Sequence, residues 1–178
     1  MNTEKSHAIV QEYFQKKTKL KRKVKKFSGK FDNTPEQIFP LLCPTREADW
    51  VVGWNVELLY TESGYAEDKC IFKTSIKDSI EEGLWTFTNY KPNESLEFVK
   101  VGNDILNHVR IDLIQNEDRS TTVSWNIIST ALTKEGNTLV EEESGHAKSN
   151  PILKMLEYYL NNGEKISKAS LLRNITHH

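Results

Sequence analysis

The twelve residues "CPTREADWVVGW", Cys43 to Trp54, bring a guanidinium, two carboxyls and two indoles into one short span. On a helical turn Arg46 and Trp50 stand at i and i+4 and share a face. The guanidinium can then lie against the indole while Glu47 or Asp49 pairs with it. Turned inward, this group offers flat apolar walls at Trp50 and Trp54 and a two-pronged clamp for a ligand carboxylate at Arg46. Turned into packing, it ties two short helices to a sheet and fills core. Both readings stay open at the level of sequence.

A second set of chemically capable residues lies in alternating stretches. In "ILNHVRIDLI" the apolar positions Val109, Ile111 and Leu113 share one face, so His108, Arg110 and Asp112 turn the other way, toward solvent. Asn107 falls on the apolar face with Ile105 and Val109. A buried amide needs a partner, either backbone or ligand. The same parity turns Tyr60, Phe72, Thr74, Trp85 and Trp125 inward, with Tyr159 of the last helix facing them. A few hydroxyls in an otherwise apolar wall suit the orientation of a mostly hydrophobic ligand.

What is missing narrows the chemistry. No Ser-His-Asp order, P-loop or dinucleotide fingerprint occurs. The inward set holds no clear titratable group for general acid–base work. Cys43 and Cys70 have neither CxxC spacing nor neighbouring histidines and read as buried free thiols. The terminal His177 and His178 are tag-like and carry no metal argument. We therefore expect no metal site and no cofactor.

These residues need elements to hold them. The 178 residues, 37% apolar and 28% charged, suit one domain with a modest or partly hollow interior. No run approaches the roughly 18 apolar residues of a membrane span. "MNTEKSHAIVQEY" lacks the apolar core of a secretory signal, so a cytoplasmic address is expected.

The net charge of −1 hides an asymmetry, because nine basic residues and no acid fall between Lys16 and Lys30. This stretch reads as a lysine-guarded edge strand. Alternatively it is an arm for a weak anionic partner, although no nucleic-acid motif accompanies it.

Periodicity predicts a helix over 4–17 and a first strand over about 20–31, with a bulge near Gly29. Thr34, Pro35 and Gln37 mark a short helix start, limited by Pro40. Six alternating strands then run from Trp54 to Leu132, separated by "ESGYAED", "DSIEEG", "KPNES", "GND" and "QNEDRS" and followed by the turn-like "TKEGN". The stretch "VEEESGHAKSN" reads as a polar connection. Asn150 and Pro151 open a helix with Ile152, Met155, Leu156, Tyr159 and Leu160 on one side, ended or interrupted at Asn162 and Gly163. The predicted division is an N-terminal helical extension (1–18), one domain (19–165) and a C-terminal tail (166–178). An antiparallel meander must cover its apolar face with the late helix, and a curved sheet around one helix leaves space between them.

In that order, "FPLLCPTREADWVVGW", "LLYTESG", "CIFKT", "LWTFTNYKP", "STALTKEGN" and "LEYYLNNGEK" resemble the SRPBCC superfamily of START-like, helix-grip domains, nearest its polyketide cyclase/dehydrase-like bacterial members. The resemblance covers roughly Val24 to Lys165. It implies an α+β helix-grip fold: a curved antiparallel sheet around a long C-terminal helix, with an internal cavity for lipids, sterols, polyketides, plant hormones or other apolar molecules. Some relatives are cyclases or dehydratases, some are hydroxylase subunits, and some activate a chaperone. The basic extension before the first strand and the acidic connection over 138–150 depart from the usual layout.

Three functions follow as expectations. The first is binding of a small lipid-like, polyketide or aromatic ligand through Arg46, Trp50, Trp54, Tyr60, Phe72, Thr74, Trp85, Asn107, Trp125 and Tyr159. The second is a cyclase or dehydratase, requiring Glu47, Asp49 or His108 to point inward. The third is an interaction module using the basic arm.

Overall fold

The structure, a computed structural model, describes residues 19–76, 82–142, 151–167 and 169–171. The helix predicted over 4–17, the start of the basic arm and the Asn150 cap lie outside the described residues. The strands are β1 (Arg22–Phe31), β2 (Trp54–Tyr60), β3 (Ile71–Ile76), β4 (Gly83–Lys91), β5 (Ser95–Val101), β6 (Ile105–Gln115) and β7 (Thr121–Ala131). They form one antiparallel sheet in the order β1-β7-β6-β5-β4-β3-β2. The six-strand meander appears as its period of two predicts, and β1 adds to its far side by pairing with β7.

Alternation decides which side chains enter the core. On β1, Lys23, Lys25, Phe27, Gly29 and Phe31 turn inward, while Arg22, Val24, Lys26, Ser28 and Lys30 face solvent. As an end strand it carries the lysines expected of a guarded edge. Lys30 pairs with Asp118 at 2.6 Å, and Lys21, just before the strand, pairs with Glu141. The predicted bulge at Gly29 is absent, since register with β7 runs unbroken from Arg22↔Thr130 to Phe31↔Thr121. Gly29 instead leaves room for the Phe31 ring and Leu153.

Two real bulges lie elsewhere. Between Leu58 and Tyr60 the register slips, and Tyr60 ends 55% exposed. Between Phe87 and Asn89 a second slip sends Tyr90 into the core, edge-on to Phe39 at 5.3 Å and to Phe87 at 5.4 Å. One inserted residue flips every later side chain on its strand.

The helices are short. Helix α1 (Pro35–Ile38) opens with the Thr34 backbone N–H donating to Gln37 Oε1 at 3.0 Å, as the capping-box spacing predicts. Pro40 then confines the chain to a 3-10 turn, Phe39–Leu42, before α2 (Pro44–Glu47). Ile38, Leu42 and Trp50 from this corner are fully buried.

Part of the expected polar connection is instead helix α3 (Lys134–Glu142). Its start is held by the Gly136 N–H donating to Thr133 Oγ1 at 3.0 Å, and it buries Gly136 and Val140 one turn apart. Gly136 is required by close approach, because a Cβ there would overlap the Asp104 carbonyl oxygen. Gly136→Ala is expected to lower stability by about 1–3 kcal/mol despite the better helix propensity of alanine. A urea titration giving an unchanged or higher midpoint would contradict this packing.

Helix α4 (Pro151–Asn162) buries Leu153, Met155 and Leu156 against the sheet. It stops at Gly163, whose φ of 71° and N–H to Tyr159 O at 2.7 Å close the last turn. Among the described residues, no helix is long and apolar enough to cross a membrane.

Candidate functional site: a tryptophan-walled cavity

The inner face of the sheet, the corner from Glu47 to Trp54 and the start of α4 line a half-open cavity of about 340 Å³. Four tryptophans, Trp50, Trp54, Trp85 and Trp125, form its walls with Val51, Phe98, Val109, Ile127 and Ile152.

The indoles owe their orientation to their own N–H groups. Trp50 Nε1 donates to Leu41 O at 2.7 Å, Trp54 Nε1 to Pro44 O at 2.9 Å, and Trp85 Nε1 to Thr74 Oγ1 at 2.7 Å. With these donors satisfied in the protein, the three rings offer an occupant only apolar surface. Trp85 is further fixed by Phe72, stacked at 5.7 Å and 17°, and by Phe98 at 5.0 Å.

The remaining wall is polar. Register aligns Lys23, Ser129, Asn107, Lys100 and Trp85 in one row across β1, β7, β6, β5 and β4. Ser129 Oγ donates to Asn107 Oδ1 at 2.7 Å, which assigns the Asn107 NH2 as a donor. Lys100 Nζ sits 5.1 Å from the centre of the Trp85 ring, a cation–π contact. Lys25, one residue pair along, also lines the cavity.

Glu47 completes the lining from the corner. No described residue hydrogen-bonds its carboxyl, and burial pushes its pKa up to about 8. Desolvation is the single cause. The protonated form is favoured accordingly.

Trp50, Trp54, Trp85, Asn107 and Trp125 therefore line the cavity. Phe72 and Thr74 stand behind Trp85 and hold it in place. Tyr159 is partly buried in the core and does not reach the cavity wall. Tyr60 lies on the surface because of the Leu58/Tyr60 slip. Arg46 is exposed as well, its guanidinium taken by Asp49 at 2.6 Å, so it clamps nothing inside. Arg46→Ala is expected to change stability by less than about 1 kcal/mol. Thermal melts showing a larger loss would give Arg46 a structural part that this exposed pair does not.

Lys25, Lys100 and Ser129 were missed by the sequence reading, although parity marks them: Lys25 alternates with Phe27 and Phe31, and Lys100 with Leu96 and Phe98. His108 faces outward as parity predicts, its Nε2 2.8 Å from Glu97 Oε1. Cys43 and Cys70 are buried free thiols, and burial raises the pKa of both.

No protein-family model matches the sequence, and no curated protein matches it. Solved structures do match. Norcoclaurine synthase from Thalictrum flavum, in complex with dopamine and hydroxybenzaldehyde, superposes with a TM-score of 0.58 at 9% identity, over 82% of this chain and 90% of that one. A START superfamily protein from Mycobacterium smegmatis gives 0.56 at 11% identity, over 78% and 97%. This chain has the START-like helix-grip fold.

A third solved structure, DynU16 from the dynemicin biosynthetic locus, matches with a TM-score of 0.55 at 14% identity over 79% of this chain. This chain spans about half the length of that one, 48%. The likeness agrees with the SRPBCC resemblance at the level of fold. Within the helix-grip frame, α4 is the gripped helix, and the cavity lies between the sheet, the Glu47–Trp54 corner and the start of α4.

Proposed function

We propose that the protein binds a small, mostly apolar molecule in the cavity between sheet and α4. The observation that carries this reading is a preformed space of about 340 Å³ walled by four tryptophans, three of whose rings are held in place by hydrogen bonds from their own N–H groups. Such a volume sits near the bottom of the roughly 300–1,000 Å³ range of small-molecule sites. It favours a compact ring system over a sterol or a long acyl chain. The fold relatives support a ligand-binding helix-grip domain, and the expected cytoplasmic address belongs to the same reading.

Native mass spectrometry after incubation with 2-naphthol tests it. A one-to-one adduct is expected, and it should disappear in Ile127→Trp, which fills the cavity from β7. No adduct, or an adduct that persists in the filled variant, contradicts the reading.

One observation favours a second reading, a cyclase- or dehydratase-type enzyme. Glu47 faces the cavity as a neutral acid whose pKa of about 8 lies near the operating pH, as a general acid requires.

A further inference from the structure

The polar groups of the cavity are not equivalent. Three of the four indole N–H groups are bonded inside the protein. Lys25 and Lys100 hold interactions of their own within the protein, and the Glu47 carboxyl has an oxygen that accepts in either protonation state, so these three side chains set no polarity for an occupant. The Asn107 amide does. Its Oδ1 takes the Ser129 hydroxyl at 2.7 Å, and its NH2, on the cavity wall, meets no acceptor among the described residues. Ser129 is thereby a positioning residue, fixing which end of the amide is presented to the space. The two residues face each other across the unbroken β6–β7 pairing, so the donor is held by the sheet itself. Trp125 adds a second neutral donor: its side chain turns inward, it is 6% exposed, and no described residue accepts its N–H.

Resting on the cavity reading, we infer that the occupant is a flat aromatic compound with a neutral acceptor oxygen, a ketone being the simplest case. The carbonyl oxygen lies against the Asn107 NH2, and the ring lies between the tryptophans. A carbonyl moved from water into an apolar space without a partner costs free energy, and a fixed N–H donor removes that cost. A hydrocarbon of the same shape leaves the NH2 unbonded instead. A site that bonds one polar atom of its ligand rejects the analogue lacking that atom. Preference for the oxygen runs against apolar burial, which alone favours the hydrocarbon, so the two effects are told apart by the sign of the difference.

The experiment compares 2-acetylnaphthalene with 2-isopropenylnaphthalene, which has C=CH2 in place of C=O and the same shape, by isothermal titration calorimetry on the full chain. The ketone is expected to bind about three- to tenfold tighter, the range of one net hydrogen bond. Asn107→Leu with Ser129→Ala removes the donor and the group that positions it together, and the order should then reverse, with the hydrocarbon the tighter of the two. Where that double variant does not fold, Asn107→Ser withdraws the amide, keeps a small polar side chain and reads the same loss. A ketone that binds no tighter than the hydrocarbon to the unmodified protein, or whose advantage survives loss of the amide, overturns the inference and leaves the cavity reading standing. Failure of both probes to bind overturns both.

Discussion

Trp85→Ala is expected to lower folding stability by about 3–5 kcal/mol, the range for removing a large core aromatic. The ring is the hub of an aromatic layer: Phe72 stacks on it, Phe98 and Trp54 meet it at 5.0 and 6.3 Å, and its N–H is held by Thr74. Removing it merges the cavity with a new void in that layer. Trp85→Phe keeps an aromatic body but leaves the Thr74 hydroxyl without its partner, and a loss of about 1–2 kcal/mol is expected. Urea unfolding monitored by circular dichroism separates the two. A loss under about 1 kcal/mol for the alanine variant would mean that the layer collapses around the gap and does not hold its shape.

The second large effect is a dependence of stability on pH set by Glu47. Its folded pKa of about 8 lies above its ordinary 4.5, so between these values the folded chain holds a proton that the unfolded chain has released. Stability from this group is therefore intact below pH 4.5 and falls as pH rises toward 8. At about 1.4 kcal/mol per pH unit, the loss is on the order of 3 kcal/mol by pH 7. Glu47→Gln lacks this loss. The two proteins should differ little at pH 4.5, with the variant gaining steadily up to pH 8 and the difference level beyond. Exposed carboxylates with lowered pKa values, such as Glu67 and Asp118, act below this window and cancel in the comparison. A wild-type-minus-variant difference that stays flat from pH 4.5 to 8 would place Glu47 in water.

Much of the fold was legible because a period of two is a strong signal. Val109, Ile111 and Leu113 against His108, Arg110 and Asp112 leave a half-buried strand only one orientation. Helix α3 was hidden because its buried face is a glycine and a valine, too little apolar surface to set a helical period in a polar run. Tyr60 left its expected inward place through a bulge, which depends on how neighbouring strands register and leaves no mark in one strand's own residues. The polar side of the cavity was legible and went unread. Lys25 and Lys100 occupy inward positions, and charge drew attention to the surface when parity pointed inside.

The account stands or falls on the hollow between sheet and α4, and a crystal soaked in 6-bromo-2-naphthol examines it directly, since bromine scatters anomalously and the probe is neutral. The expected result is one strong bromine peak enclosed by Trp50, Trp54, Trp85 and Trp125. Anomalous peaks confined to the outer surface, with side chains filling the space between those four rings, would contradict it.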